Sequence, residues 1–457
     1  MKKFLAVILT LVVAGVVLAG CGGGPEPAAP GGDGGGATTP AVTTPGGKTE
    51  VRIMSFTTEL SEMLPKFLEL NPDIDAAYEF VSTVVPTEAG AYRTALDAAL
   101  VSGTDAPDIY AAESAFVLRY TQGEMARFAA PYTDLGIDLG LVSAADIAQY
   151  TVDVGTRPAD NALVGLGFQA TGSAMIYRRS IAREVFGTDD PAVIQGIVGP
   201  GWDRFLDAAR ELRAHGYSAL SGWEDSWNAV RSGSDRGWLA PDGSLYIDPS
   251  RENMLDLAKI MADEDLTNGT QAWHDGWFAD FSGSGAREAF AFLGPAWLIN
   301  YVMSGNAGDT FGDWAICVPP VGFAWGGTWV MGNDSSPVKD VAGRFIEWVT
   351  LDTSDTGLQF LFANGILQGP GGTKDTVASG VVMARSDGTL DMLGGQDMFD
   401  VMIPAGAFAR ADNWTEFDEA INELFIGEVR NYVAGLKGRE QALADFRVLV
   451  SDQLGID

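Results

Sequence analysis

The sequence predicts an α/β protein built as two large lobes, and three observations carry that expectation. The chain has 457 residues, about three times the ~150 of an ordinary domain. Hydrophobic residues make up 46 % and charged ones 20 %, a balance that suits a packed soluble core and excludes a disordered or fibrous chain. From residue 51 onward, strand-like alternation and helical spacing take turns, the pattern of a sheet covered by helices.

In chain order, residues 51–56 alternate as a strand, and residues 60–70 carry apolar side chains at helical spacing before the stop at Asn71-Pro72. Residues 75–81 read as a second strand, 92–101 as a helix and 107–110 as a third strand. Strands alternating with helices imply a parallel sheet. Further on, residues 173–177 read as a strand, 202–214 as a helix, and 245–247 as a strand after the turn at Pro241-Asp242-Gly243. Apolar stripes predict helices over 249–263, 285–290, 338–351, 356–364, 414–427 and 439–454.

The first twenty residues begin with Lys2 and Lys3, continue with an apolar run, and end in Leu18-Ala19-Gly20-Cys21. This reads as an export signal, because the run is shorter than the roughly 20 residues that span a bilayer. Its end resembles the lipobox of bacterial lipoproteins, which implies cleavage after residue 20 and lipidation of Cys21. Residues 21–49 are almost only Gly, Pro, Ala and Thr after the cysteine, which predicts a flexible tether.

The net charge of −32 repels phosphate backbones and excludes a nucleic-acid binder. Two Cys and two His leave too few soft ligands for a Cys/His metal site, so no metal and no cofactor is expected. Cys317, in an apolar strand-like run, reads as a small buried hydrophobe with no disulfide partner. His215 follows residues 202–214 and reads as a helix C-terminal cap. No Walker-type Gly-x-x-x-x-Gly-Lys-Ser/Thr, Gly-x-Ser-x-Gly or His-Glu-x-x-His sequence occurs, so no catalytic motif is available to assign.

Six local segments then occur in a telling order. They are Pro107-Asp108-Ile109, Tyr177-Arg178-Arg179, Gly201-Trp202-Asp203-Arg204-Phe205, Asp242-Gly243 through Pro249, the run from Arg287 to Gly294-Pro295-Ala296-Trp297, and Pro319-Pro320 with Gly326-Gly327-Thr328. Together they resemble the extracellular solute-binding proteins of ABC importers, in the sugar-binding family that includes maltose-binding protein, over about residues 50–457. The resemblance departs at Arg287-Glu288 and over residues 153–161. It implies a two-lobed periplasmic-binding-protein fold, type II-like, with a ligand cleft between lobes joined by about three crossovers. Lobe 1 is expected over 50–167 with 327–368, and lobe 2 over 168–326 with 369–457. The crossovers near Phe168, Gly326 and Gly369 are the expected hinges.

Of twelve Trp, eleven fall between Trp202 and Trp348. Trp223, Trp227, Trp273, Trp277, Trp297, Trp325 and Trp329 sit in Gly/Asp-rich surroundings typical of loops. Pyranose rings stack their C–H faces on aromatic rings and pair their hydroxyls with carboxylates and amides, so this composition points to a carbohydrate. The resemblance places Phe56, Glu59, Glu113, Phe168, Gln169, Trp223, Asp225, Trp277, Trp297, Trp329 and Trp414 at the ligand, with Trp297 the leading candidate. Each has a plainer reading as core or solvated surface. Trp202 and Trp348 are assigned to packing.

The expected function is a lipid-anchored, non-enzymatic binding subunit, a monomer that captures a mono- or oligosaccharide and delivers it to ABC permease subunits outside the cell membrane. The alternatives are a receptor for a polyamine or peptide, and a secreted glycoside-acting enzyme whose paired acids would do the chemistry.

Overall fold

In the computed structural model, residues 42–457 are described, apart from 45, 370, 371, 412 and 413. Cys21 and the leader lie outside the described residues.

Two sheets organise the chain. The first has five strands, in the order Tyr78–Val84, Thr49–Ser55, Ile109–Glu113, Thr328–Gly332 and Leu166–Gly167. The second has four, in the order Trp314–Cys317, Ala174–Arg178, Ala289–Gly294 and Ser218–Leu220. Each sheet carries its own helices, which gives the two-lobed α/β architecture.

Thr49–Ser55 pairs parallel with both its neighbours, as expected of strand-helix-strand units. Ser218–Leu220 is likewise parallel to Ala289–Gly294, but other pairings correct the expectation of a parallel sheet. Thr328–Gly332 returns antiparallel to Ile109–Glu113, and Ala174–Arg178 lies antiparallel to Ala289–Gly294 and Trp314–Cys317. These strands come back from the other lobe rather than over a local crossover helix, so nothing holds them to the parallel sense.

Most helices sit where the apolar stripes place them. Glu59–Leu70 buries Leu60, Met63, Leu64 and Phe67, and Arg439–Leu454 buries Ala442, Phe446 and Val450. Residues 245–247, expected as a strand, make only an isolated bridge between Leu245 and Leu239, and three further expectations change. Residues 72–77 form a short helix, with Pro72 at its first turn, before the strand begins at Tyr78. Residues 285–290, expected as a helix, form none, and residues 289 and 290 instead open the strand Ala289–Gly294, buried throughout; such a strand shows no alternation to distinguish it from a buried helix. The late helix begins at Asp418 rather than at Trp414.

The second lobe is packed by aromatic contacts. Trp238 lies 5.3 Å from Phe425 and 5.4 Å from Phe446, ring centre to ring centre, which seals the two C-terminal helices onto the lobe. Trp348 is buried against Phe67. Cys317 is buried, and desolvation pushes its thiol up to about 12, so it packs as an inert apolar group. The His215 ring lies 3.0 Å from the Glu211 carbonyl at the end of helix Trp202–Ala214.

Candidate functional site

Two segments cross between the sheets, hydrogen-bonded to each other, and a third lies hydrogen-bonded beside the first. Residues 168–173 lead from the first sheet to the second, and residues 323–327 lead back. The Ser173 amide donates to Phe323, and the Trp325 amide to Thr171. Residues 375–378 lie alongside, with Ala170 donating to the Thr376 carbonyl and Ala378 to that of Phe168. The segment paired with the first crossover is thus 375–378 and not the loop at Gly369, which closes locally as Gly372 donates to Gly365.

The second crossover brings backbone and indole unusually close. Gly326 and Gly327 have φ of +80° and +109°, where a side chain is strained. A Cβ on Gly326 would also lie 3.0 Å from Trp297 Nε1. Glycine here lets the chain turn directly beneath the Trp297 ring.

On the second-lobe side this builds an aromatic wall. Strand Ala289–Gly294 ends at Pro295, and Trp297 follows, half-buried. Its Nε1 donates to the Trp325 carbonyl at 3.2 Å, and the two rings meet edge to face at 4.7 Å. Trp273 lies parallel to Trp297, planes 10° apart and centroids 6.1 Å apart. It is 54 % exposed and held at φ +70°, a strained conformation for a bulky residue that costs on the order of 1–3 kcal/mol. Immediately after Trp297, Leu298–Met303 forms a π-helix, an uncommon element often found at functional sites. It presents Tyr301, 41 % exposed.

The loop under Trp273 is tied from below. Trp277 Nε1 donates to Asp225 Oδ1 at 3.1 Å, and the Gly222 amide to Asp225 Oδ2 at 3.0 Å. Burial, with Asp280 and Glu224 nearby, pushes the Asp225 carboxyl up to about 7. Glu224 receives Gln271 Nε2 at 3.3 Å and is gripped by Arg430 at 2.7 and 2.8 Å.

The first lobe supplies acids at the carboxyl ends of its strands, where open α/β sheets bind ligands. Glu113 ends strand Ile109–Glu113, accepting from the Ser114 hydroxyl at 2.5 Å and the Ala115 amide at 2.8 Å. The Ser114 amide in turn donates to Gly327, so Glu113 stands beside the second crossover. Glu59 opens helix Glu59–Leu70. It keeps some exposed surface, yet its carboxyl is desolvated, and with Asp375 and Glu62 facing it is pushed up to about 8. Asp375 accepts from Gln169 Nε2 at 3.0 Å and from the Thr376 amide at 2.7 Å, and burial pushes it up to about 7. The same two acids act on the Tyr301 hydroxyl from across the crossovers.

The structure brings Glu59, Glu113, Gln169 and Trp297 to these crossovers, while Asp225 lies beneath the wall. Phe56 is half-buried against Tyr92 and Phe116. It corrects the placement of four rings. Phe168, Trp277 and Trp329 are enclosed and Trp223 nearly so. Phe168 packs on Phe362, Trp277 lies within helix Asp275–Phe281, and Trp329 lies inside a strand with its Nε1 on the Thr151 carbonyl at 3.0 Å. Neighbouring Gly and Asp mimic a loop in sequence, but these rings point into the core. Trp414 packs edge-on against Trp329 at 6.0 Å rather than joining the wall. Site residues the sequence reading missed are Trp273, Trp325, Tyr301 and Asp375. The first two belonged to the loop-set tryptophans, whereas nothing local distinguishes Tyr301 or Asp375. Among the described residues, no group of three or more His, Cys, Asp or Glu could hold a metal ion.

The sequence model of bacterial extracellular solute-binding proteins matches residues 55–355, and the chain belongs to that family. Solved structures share its fold. The galacto-N-biose/lacto-N-biose I-binding protein of an ABC transporter from Bifidobacterium longum, in complex with lacto-N-biose, superposes with a TM-score of 0.67 at 15 % identity, covering 93 % of this chain and 98 % of its own. The GacH receptor of Streptomyces glaucescens, studied with acarbose, gives 0.64 at 15 % identity over 89 % and 98 %. The sugar-binding protein MalE from Xanthomonas citri gives 0.64 at 15 % over 88 % and 97 %. Among curated proteins, none matches the sequence. Among the described residues, no helix is long and apolar enough to cross a membrane.

Proposed function

We propose that this chain is the lipid-anchored substrate-binding subunit of an ABC importer, and that it captures a carbohydrate between its lobes. The observation that carries the reading is the half-buried Trp297 ring, bonded to Trp325 on a crossover to which the first lobe also brings Glu59, beside Thr328 and Asp375, and Glu113, next to Ser114 on Gly327. An indole face suits the C–H side of a pyranose, and carboxyl and amide groups suit its hydroxyls. The sugar-bound states of the Bifidobacterium and Streptomyces proteins support the same class of ligand.

In this reading the ligand bridges lobes approximating residues 50–167 with 327–368 and 168–326 with 369–457, and its contacts shift the open–closed equilibrium. The protein acts as a monomer, binds without turnover and presents the closed form to permease subunits. Cys21 carries the anchor, supported by the Leu18-Ala19-Gly20-Cys21 sequence and the Gly/Pro/Thr-rich tether that follows.

Thermal shift of the soluble body, starting near Lys48, tests the ligand class against saccharides, polyamines and peptides. A saccharide that binds only the folded state stabilises by about 2.7 kcal/mol at a hundred times its dissociation constant. A shift with polyamines alone would overturn the carbohydrate assignment, and release of hydrolysis product would overturn the receptor reading. Loss of labelled-lipid incorporation in Cys21→Ala is the expected result for the anchor.

A further inference from the structure

Glu59 and Asp375 sit where the two lobes touch. Glu59 opens helix Glu59–Leu70 of the first lobe, beside Thr57 and Thr328. Asp375 is enclosed next to the first crossover, held by Gln169 and the Thr376 amide. The second lobe reaches the same spot through its π-helix Leu298–Met303. Asn300 Nδ2 donates to the Lys374 carbonyl, which belongs to the peptide bond leading into Asp375. The Tyr301 ring lies 6.4 Å from that of Phe362, on helix Leu358–Ala363 of the first lobe.

The groups around the two acids are acidic or neutral. Asp375 and Glu62 both oppose ionisation of Glu59, and the Tyr301 hydroxyl faces Glu59, Asp375 and Glu62. The Tyr150 hydroxyl, which donates to the Gln169 carbonyl at 3.2 Å, lies near Asp375. Lys374 turns away, its Nζ donating to the Asp387 and Thr389 carbonyls at 2.8 and 3.1 Å. Among the described residues, no Lys or Arg eases ionisation of either acid. Burial and the neighbouring acids therefore hold both carboxyls above their ordinary range while the second lobe lies against them. When that lobe swings away, water reaches the carboxyls and they ionise as exposed acids do. Closure thus takes up protons from the surrounding water, and opening returns them.

We propose that Glu59 and Asp375 form a proton-operated latch between the lobes, which favours the closed form in acid and the open form in base, so that solute is held more tightly at low external pH. This rests on the open–closed reading above and is independent of which solute the cleft takes.

Small-angle scattering of the solute-free full chain at about pH 5 and about pH 9 tests this, in wild type and in the double variant Glu59→Gln/Asp375→Asn. The variant keeps the shape of both groups and cannot ionise, so it should stay closed at either pH. The expected result is a radius of gyration that rises with pH in wild type at constant circular dichroism, and that keeps its acid value in the variant. An equal radius at both pH values in wild type, an equal rise in wild type and variant, or a rise accompanied by lost ellipticity would overturn the proposal. Should the double variant not fold, Glu59→Gln alone should show a smaller rise than wild type, and an undiminished one would count against the latch. The open–closed reading survives any of these failures if a saccharide that raises the thermal midpoint also contracts the wild-type profile at either pH; if none does, that reading fails as well.

Discussion

Glu59 and Asp375 show how a single residue's setting governs its chemistry. Each carboxyl is raised chiefly by burial, to about 8 and about 7, from an unfolded value near 4. The folded protein therefore keeps protons that the unfolded chain has released. The associated stability is complete below about pH 4 and is lost as pH rises toward 8. Glu59→Gln, always neutral, should narrow the difference in denaturation midpoint between about pH 5 and about pH 9 relative to wild type. An unchanged difference would show that Glu59 ionises freely. Trp297 illustrates the opposite case: the resemblance carried by Gly294-Pro295-Ala296-Trp297 pointed to it, and the structure sets it half-buried just after a strand end, beside the crossover. Asp375 was not legible, since its partners Gln169 and Glu59 are more than two hundred residues away in the chain.

At the scale of elements, periodicity exposed what faces one core and missed what is buried all round. Glu59–Leu70 shows a clear stripe, Arg439–Leu454 only a narrow row of Ala442, Phe446 and Val450, and both match their expected spans closely. Strand Ala289–Gly294 is apolar throughout, and its first two residues read as the end of a helix over 285–290. The tryptophans failed for a related reason: Gly and Asp around Trp277 and Trp329 suggested loops, while the fold places one in a helix and one in a strand. Short glycine segments position the site more tightly than their composition suggests. A Cβ on Gly222 would lie 2.0 Å from the Thr270 carbonyl, and backbone cannot step aside cheaply. Gly222→Ala should destabilise by about 1–3 kcal/mol and weaken sugar affinity through the displaced 270–274 loop. Denaturation with parallel titration checks both, and a neutral result would mean that the loop adapts.

For the whole molecule, two lobes meet at hydrogen-bonded crossovers, and an ion pair joins them away from the wall. Arg93, on helix Ala91–Ser102 over the first sheet, meets Glu419, on helix Asp418–Val433 of the second lobe, at 2.6 Å. The pair is partly exposed, so its loss in Glu419→Gln should cost at most about 1 kcal/mol. It should nonetheless raise the radius of gyration of the sugar-free protein in small-angle scattering; an identical profile would show that the pair does not bias the lobes. The lobed α/β plan was legible from strand-helix alternation, chain length and six ordered motifs, but strand sense was not, because it depends on which lobe each strand returns from. The claim that joins these scales is that the cleft binds carbohydrate through Trp297. Isothermal titration of wild type and Trp297→Ala with the same oligosaccharide tests it most directly. One saturable site in wild type, weakened at least about ten-fold in the variant, is the predicted result, and equal affinity in both would contradict it.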